Sequence, residues 1–246
     1  MEFAEALAVA AALAAVAAGY AAVGHAGASG YAAVFAFAGL APATAKPTAL
    51  FLNLLVAALG TWRFRAGFSW RRWWALAAGG VPAAWWTSQW PVPKEVFQGL
   101  LGFGLWLAAW RILLAPKTRA VRPLAWPAGL MLGTLAGMLG GLSGTGGGIY
   151  LTPMLLLGGW MEVRGAAALT APFILVVSAS GLAGTFGKGP APAAWWPRWL
   201  AAVGIGGALG AELGSRRLAP KPLRWVLGGV LVFAGGELLA RAARLR

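Results

Sequence analysis

Long apolar runs separated by short basic loops set the strongest constraint on what this chain can fold into. A transmembrane helix needs about 20 apolar residues. Ten segments are candidates: Phe3–Val23, Ser29–Leu40, Thr48–Phe64, Trp73–Ser88, Val96–Leu114, Leu124–Leu139, Gly148–Gly158, Gly165–Phe186, Trp196–Leu213 and Leu223–Ala240. The second and seventh are too short to cross as straight helices. We therefore predict an all-α integral membrane protein with about ten transmembrane or partly spanning helices.

The charged residues support a membrane protein with a defined orientation. They make up 11% of the chain, against about 25% in soluble domains. A net charge of +14 could indicate nucleic-acid binding, but the cations cluster in loops between apolar runs, as the positive-inside rule predicts. We expect a multi-pass protein of the inner (plasma) membrane with no nucleic-acid partner. The clusters are Arg63, Arg65, Arg71 and Arg72, then Arg111, Lys117, Arg119 and Arg122, then Arg216, Arg217, Lys221 and Arg224.

The chain lacks most of the side chains that catalysis and metal binding use. It has no Cys, no Asp and a single His. We therefore expect no enzyme activity, no metal site and no cofactor. Most of its 15 Trp flank the apolar segments, which is typical of the aromatic belt at the lipid headgroups.

Two stretches of the chain resemble each other. "GHAGASGYAAVFAFAGLAP" (Gly24 to Pro42) and "GLSGTGGGIYLTPMLLLGG" (Gly141 to Gly159) each place a Gly-x-x-Gly-x-x-Gly frame before a short apolar segment. The frames are Gly24, Gly27 and Gly30, and Gly141, Gly144 and Gly147. The following segments share Thr-Ala-x-Phe, from Thr48 and from Thr170. We predict two five-segment repeats, residues 1–120 and 121–246, that form one transport domain.

The number of crossings decides how the two repeats are related. If all ten segments cross, the three basic loops lie on one side and the second repeat is inverted, as in many secondary transporters. If the short segments are re-entrant, each half crosses four times and the repeats are parallel. The loop charges favour inversion, although Arg241, Arg244 and Arg246 would then lie outside.

The glycine-rich breaks allow two interpretations. A P-loop is excluded because no Lys follows Gly146–Gly148, and a dinucleotide site would need a strand that a membrane segment does not supply. Small residues also let transmembrane helices pack closely. Alternatively, the breaks interrupt helices beside a cavity, where the free N–H groups at the new helix start would attract an anion.

The second interpretation predicts a set of substrate-binding residues at the paired breaks. They are His25, Gly27, Ser29 and Gly30 at the first, Ser143, Gly144, Thr145, Gly146, Gly147 and Gly148 at the second, and Asn53 within its span. Ser178 and Ser180 could line the same cavity. His25 could instead pack or make a local hydrogen bond, and Thr48 and Thr170 are candidate helix N-terminal residues or ligands.

Lys46 and Arg164 precede corresponding segments and could attract an anion at the mouths of the pathway. Alternatively, their side chains snorkel to the membrane interface. Glu212 and Glu237 precede Arg216 and Arg241 by four residues, a favourable pairing on a helix.

The second break carries a family resemblance. With Gly144, Gly146, Gly147, Gly148 and Pro153, it is similar to the Gly-x-Gly-Gly-Gly break and proline of the sulfite exporter TauE/SafE family of membrane permeases. The first copy departs from this pattern, since Ser29 and Tyr31 replace glycines and its segment has no internal proline. The resemblance implies transport of small sulfur-containing or organic anions such as sulfite, thiosulfate or sulfonates.

Together these features predict a permease that works by alternating access around a site between the two breaks. Its expected partners are a small anion and the lipid bilayer; a coupling proton or sodium ion and the oligomeric state are left open. The alternatives are an anion channel with the same fold and a membrane protein that assembles with a partner without transporting.

Overall fold

The computed structural model is helical in the way the apolar runs predict. It describes residues 3–90, 94–114, 121–185 and 196–244. The α-helices in these residues are α1 Phe3–Ala22, α2 Ala28–Phe37, α3 Pro42–Arg63, α4 Trp70–Thr87, α5 Lys94–Leu114, α6 Trp126–Ser143, α7 Gly148–Leu157, α8 Val163–Thr185, α9 Trp196–Glu212 and α10 Pro220–Arg244. A 3₁₀ turn, Arg65–Gly67, precedes α4, and a π-helical turn, Leu213–Arg217, follows α9. The prediction of an all-α protein is confirmed.

Helix lengths separate clear spans from short helices. By length and hydropathy, three described helices are long and apolar enough to cross a membrane, at Glu5–Ala22, Val163–Thr185 and Pro220–Ala240. The two short segments correspond to α2 and α7. Each has 10 residues, which gives a helix length of about 15 Å. Neither helix is long enough by itself to cross a hydrocarbon core of about 30 Å.

The interpretation of Thr48 and Thr170 as helix N-terminal residues is wrong. The helix α3 begins at Pro42 and α8 begins at Val163, so both threonines lie more than one turn inside their helices. Hydropathy gives nearly the right start for α8, at Gly165, but places the start of α3 too late because its first turns contain Thr44 and Lys46. Pro42 stands at the first helical position, where proline is favourable.

The backbone repeats its unusual conformations at a fixed interval. Gly24, Gly27 and Gly39 have positive φ, and so do Gly144, Gly147 and Gly159, each 120 residues later (144 − 24, 147 − 27 and 159 − 39). The hydrogen bonds follow the same interval, because His25 N–H donates to the Tyr20 carbonyl and Thr145 N–H donates to the Gly140 carbonyl.

This interval corrects the pairing read from the sequence. The glycine frames paired Gly24 with Gly141 and Gly27 with Gly144, whereas the backbone pairs Gly24 with Gly144 and Gly27 with Gly147. Gly30 lies inside α2 rather than before it. A three-residue glycine spacing fits both registers, and only the backbone conformation distinguishes them.

Glycine contacts give the relative directions of the helices that pack together. Along α9 and the π-helical turn that follows it, Gly206, Gly210 and Gly214 meet α1 in the order Ala14, Ala18, Ala22, so α1 and α9 are parallel. Along α6, Gly133, Gly137 and Gly141 meet Leu76, Gly80 and Ala84, so α4 and α6 are also parallel.

Two other packed pairs run in opposite directions. In α3 and α8, Asn53 contacts Ser178 and Gly60 faces Ala171. In α5 and α10, Gly102 faces Leu239 and Gly228 faces Leu113. Both pairs are therefore antiparallel. The helices α3 and α8 lie at the centre, since α3 contacts α2 and α9 while α8 contacts α4, α6 and α7.

Close glycine packing predicts a difference between two substitutions of the same type. A Cβ at Gly133 would collide with the Leu76 carbonyl oxygen, whereas one at Gly229 would meet nothing within 4 Å. We expect Gly133→Ala to cost about 1–3 kcal/mol through overpacking and Gly229→Ala to be neutral or slightly stabilising. Thermal unfolding followed by size-exclusion chromatography in detergent measures both. Equal melting temperatures would contradict the parallel α4–α6 contact.

Candidate functional site

The first break separates α1 from α2. The helix α1 ends at Ala22 and α2 begins at Ala28, with Gly24 at φ 75° and Gly27 at φ 98° between them. These angles lie in the left-handed region that favours glycine. A Cβ on Gly24 would lie 2.6 Å from the Cα of Ala167. The break therefore packs directly against the backbone of α8.

The second break separates α6 from α7. Gly144, Gly146 and Gly147 have φ values of 72°, 76° and 77°. A Cβ on Gly146 would lie 2.5 Å from Ser178 Oγ and 2.8 Å from Asn53 Nδ2. Both the backbone conformation and the space at Gly146 therefore require glycine, and the side chains it faces come from α8 and α3.

Asn53 connects both breaks. This side chain is fully buried, its Oδ1 accepts the backbone N–H of Ala28 at 3.1 Å, and its Nδ2 donates to Ser178 Oγ at 2.9 Å. Although it lies 25 residues after Ala28, Asn53 therefore caps the N-terminus of α2. It also links α3 to α8 beside Gly146. The structure brings these predicted residues together.

His25 begins a second chain of buried hydrogen bonds. Its Nε2 lies 2.8 Å from Thr152 Oγ1 in α7, and Thr152 Oγ1 lies 3.0 Å from Thr170 Oγ1 in α8. The side-chain hydrogen bond of His25 is therefore not local, because its partner is 127 residues away, while its burial agrees with the packing interpretation. The His25 Nδ1 is buried and has no hydrogen-bond partner within the described residues.

The other predicted hydroxyls bond to near neighbours. Ser29 Oγ lies 2.8 Å from the Tyr20 hydroxyl. Ser143 donates to the Leu139 carbonyl at 2.6 Å and lies 2.8 Å from Thr145 Oγ1. Among the described contacts, no hydrogen bond joins these pairs to Asn53. The predicted site is thus assembled in part.

The remaining predicted glycines lie at helix surfaces. Gly30 faces Val16 of α1, and Gly148, the first residue of α7, faces Ile174 of α8. Ser180, a further candidate, donates to the Val81 carbonyl of α4 at 2.7 Å. In the structure these positions contact neighbouring helices.

Of the two cations predicted at the pathway mouths, the structure describes the side chain of Arg164 only. Arg164 lies in the first turn of α8, is exposed, and donates from Nη2 to the Leu218 carbonyl at 2.8 Å. Lys46 lies within α3, and its side chain is outside the described part of the chain.

Glu212 holds two cations at the end of α9. It pairs with Arg63 at 2.6 Å and with Arg216 at 3.7 Å, which confirms the pairing predicted for Glu212 and Arg216. The side chain of Arg241, the expected partner of Glu237, is not among the described ones.

Sequence reasoning did not identify Thr152. Within α7 its only signal is a hydroxyl in the apolar run "GIYLTPMLLL", and such a residue usually bonds to its own helix. Across the residues that the structure describes, no three His, Cys, Asp or Glu side chains converge as a metal site would need.

Comparison with known proteins identifies the family. The model of the family described as sulfite exporter TauE/SafE matches residues 7–238. The chain belongs to the TauE/SafE family. The resemblance seen at the second break is therefore confirmed, and as a TauE/SafE protein the chain is a multi-pass membrane transporter.

A curated relative covers almost the whole TauE/SafE chain. It is a probable membrane transporter, protein y4hK of Sinorhizobium fredii (strain NBRC 101917 / NGR234), and is 37% identical over 243 residues. The match covers 96% of this chain and 98% of the relative. No solved structure matches the chain.

The Asn53–Ser178 hydrogen bond predicts non-additive effects on stability. We expect Asn53→Ala and Ser178→Ala to be coupled by about 0.5–1.5 kcal/mol, since either change removes the same bond. The matched control pairs Asn53→Ala with Ser180→Ala, which lies in the same helix and bonds elsewhere; these changes should add within about 0.5 kcal/mol. Unfolding of the wild type, the three single variants and the two double variants in detergent gives both values. Additivity in the first cycle would refute the contact.

Proposed function

We propose that the chain moves small sulfur-containing or organic oxyanions, such as sulfite, thiosulfate or a sulfonate, across the inner (plasma) membrane. The substrate would bind where the two glycine-rich breaks approach Asn53. The observation that carries the proposal is the pair of hydrogen bonds by which Asn53 joins the α2 N-terminus to Ser178 beside Gly146. The description of the matching family, sulfite exporter, supports the class of substrate.

The chemistry of the breaks suits an oxyanion. Helix N-termini present backbone N–H groups and a partial positive charge, which together attract anions. The helices α2 and α7 both begin directly after a glycine with positive φ, and a glycine leaves its N–H accessible because it has no side chain. His25, Ser29, Asn53, Ser143 and Thr145 would add neutral donors.

We further propose that residues 1–120 and 121–246 are repeats of inverted topology. The recurrence of positive-φ glycines after 120 residues supports equivalence of the two halves. Under that equivalence α3 corresponds to α8 and α5 to α10. Parallel repeats would run equivalent helices in one direction, whereas both of these pairs are antiparallel.

The same arrangement gives the pathway two mouths. Because α3 and α8 are antiparallel, Lys46 and Arg164, which lie near their beginnings, belong to opposite ends of the molecule. The end that carries Arg164 also carries Arg63 and Arg216, and the positive-inside rule assigns such an end to the cytoplasm. Each cation would attract the substrate at one mouth.

Alternating access would exchange the hydrogen bonds between the halves. His25 with Thr152 and Asn53 with Ser178 both join the first half to the second, and all four side chains are buried. Rocking one half against the other would break these bonds and open the site to one side. Proton or sodium coupling would act on this equilibrium.

Transport by purified protein in liposomes tests the carrier against the channel. We expect sulfite flux that saturates with concentration and is accelerated by sulfite on the opposite side. Comparing the sulfite flux with and without a sodium gradient or a pH gradient identifies the coupling ion. Single-channel currents carried by sulfite would contradict alternating access and favour the anion channel.

The contacts of Gly146 predict that Gly146→Ala reduces transport by more than its backbone strain alone would. In Gly146→Ala the new Cβ would press on Ser178 and Asn53, whereas in Gly159→Ala, at φ 71°, it would meet nothing within 4 Å. Both changes carry the same left-handed strain. We expect initial sulfite flux to fall at least about tenfold in Gly146→Ala, because small displacements of binding groups cost large factors in rate.

The control variant makes this result interpretable. Gly159→Ala should retain most of the flux, and both proteins should insert and elute as single species from size-exclusion chromatography. Undiminished flux in Gly146→Ala, or an equal loss in both variants, would refute a substrate site at the second break.

A further inference from the structure

A cavity lies far from the glycine-rich breaks, between the N-terminal ends of α4 and α6. Its volume is about 430 Å³, within the range of about 300–1,000 Å³ that small-ligand pockets occupy. Ser69, Arg71 and Arg72 line it from the α4 side, and Ala125 and Trp126 from the α6 side. The predicted substrate residues do not contribute to it.

The two arginines of this cavity lack an acidic partner in the part of the chain that the structure describes. At the same end of the molecule, the carboxylate of Glu212 pairs with Arg63 and Arg216 instead. Arg72 Nη1 approaches the Met161 sulfur at 3.7 Å, and a thioether is a weak acceptor. Two guanidinium groups at one cavity without a carboxylate favour an anionic ligand, above all a phosphate.

The surroundings place the cavity at the level of the lipid headgroups. Trp70, Trp74 and Trp126 are 64%, 57% and 53% exposed, and in a membrane protein such indoles lie at the interface between lipid and water. The Arg122 N–H donates to the Gly159 carbonyl at 2.9 Å, which holds the loop before α6 in place. Basic clusters of this kind face the cytoplasmic leaflet.

We propose that this cavity binds the phosphate of an anionic phospholipid from the cytoplasmic leaflet. Arg71 and Arg72 hold the phosphate, and Ala75 and Trp126 contact the glycerol and the first acyl carbons. A free phosphate ion offers the same charge, but it would leave the apolar walls and the exposed indoles without a partner. The proposal is independent of which anion the protein transports.

Native mass spectrometry of the protein in detergent, with phosphatidylglycerol or phosphatidylcholine added, tests the site. We expect the wild-type protein to retain one phosphatidylglycerol more tightly than phosphatidylcholine. Arg71→Gln with Arg72→Gln should weaken that binding about 30-fold, since each cation at the membrane surface contributes about a fivefold preference for anionic lipid. Arg217→Gln with Lys221→Gln removes the same charge at the same end and should leave the binding nearly unchanged.

A second variant separates loss of the cavity from loss of charge. Ala125→Trp places a large side chain at the exposed edge of the cavity while both arginines remain, and it should also weaken phosphatidylglycerol binding. Equal lipid retention in wild type, the double Arg71/Arg72 variant and Ala125→Trp would overturn the proposal. An equal loss in the Arg217/Lys221 control, which would indicate unspecific attraction, or complete displacement of the lipid by millimolar inorganic phosphate would overturn it as well.

Discussion

The hydrogen bond from the Ala28 N–H to Asn53 Oδ1 shows the constraint on which the whole structure depends. In a bilayer, backbone polar groups must find partners within the protein, because the hydrocarbon supplies none. A chain that interrupts two of its helices therefore needs internal donors and acceptors at each interruption. At the first break the amide of Asn53 meets that need, and at the second the Gly140 carbonyl accepts both the Gly144 and the Thr145 N–H.

The glycines serve both of the purposes that the sequence left open, at different positions. Gly133, Gly137 and Gly141 lie within α6 and bring its backbone against α4. A few residues later, Gly144 and Gly146 adopt left-handed conformations that end one helix and lead to the next. Close packing fixes the helix that precedes the break, so the break itself is held in a defined place. The close-packing interpretation therefore applies to the first part of this glycine-rich stretch, and the helix-break interpretation applies to the second.

Much of the fold and less of the site could be predicted from the sequence. The ten helices of the described residues and the shortness of α2 and α7 follow from apolar run lengths, and the glycine pattern with Pro153 was enough to indicate the family. Thr152 and the pairing of Asn53 with Ser178 could not be predicted, because they depend on contacts between residues about 125 positions apart. Helix directions within packed pairs likewise depend on tertiary packing, which one sequence does not reveal.

The recurring backbone conformations at the two breaks contrast with the difference between the side chains there. At the interval of 120 residues, His25 corresponds to Thr145 and Ala26 to Gly146, and at the Thr48–Thr170 offset Asn53 corresponds to Leu175. Under the alternating access proposed above, exchanging the roles of the halves would therefore not restore the same set of hydrogen bonds. The inward-facing and outward-facing states would then differ in free energy. Such a difference would let the protein rest with its site open toward one compartment.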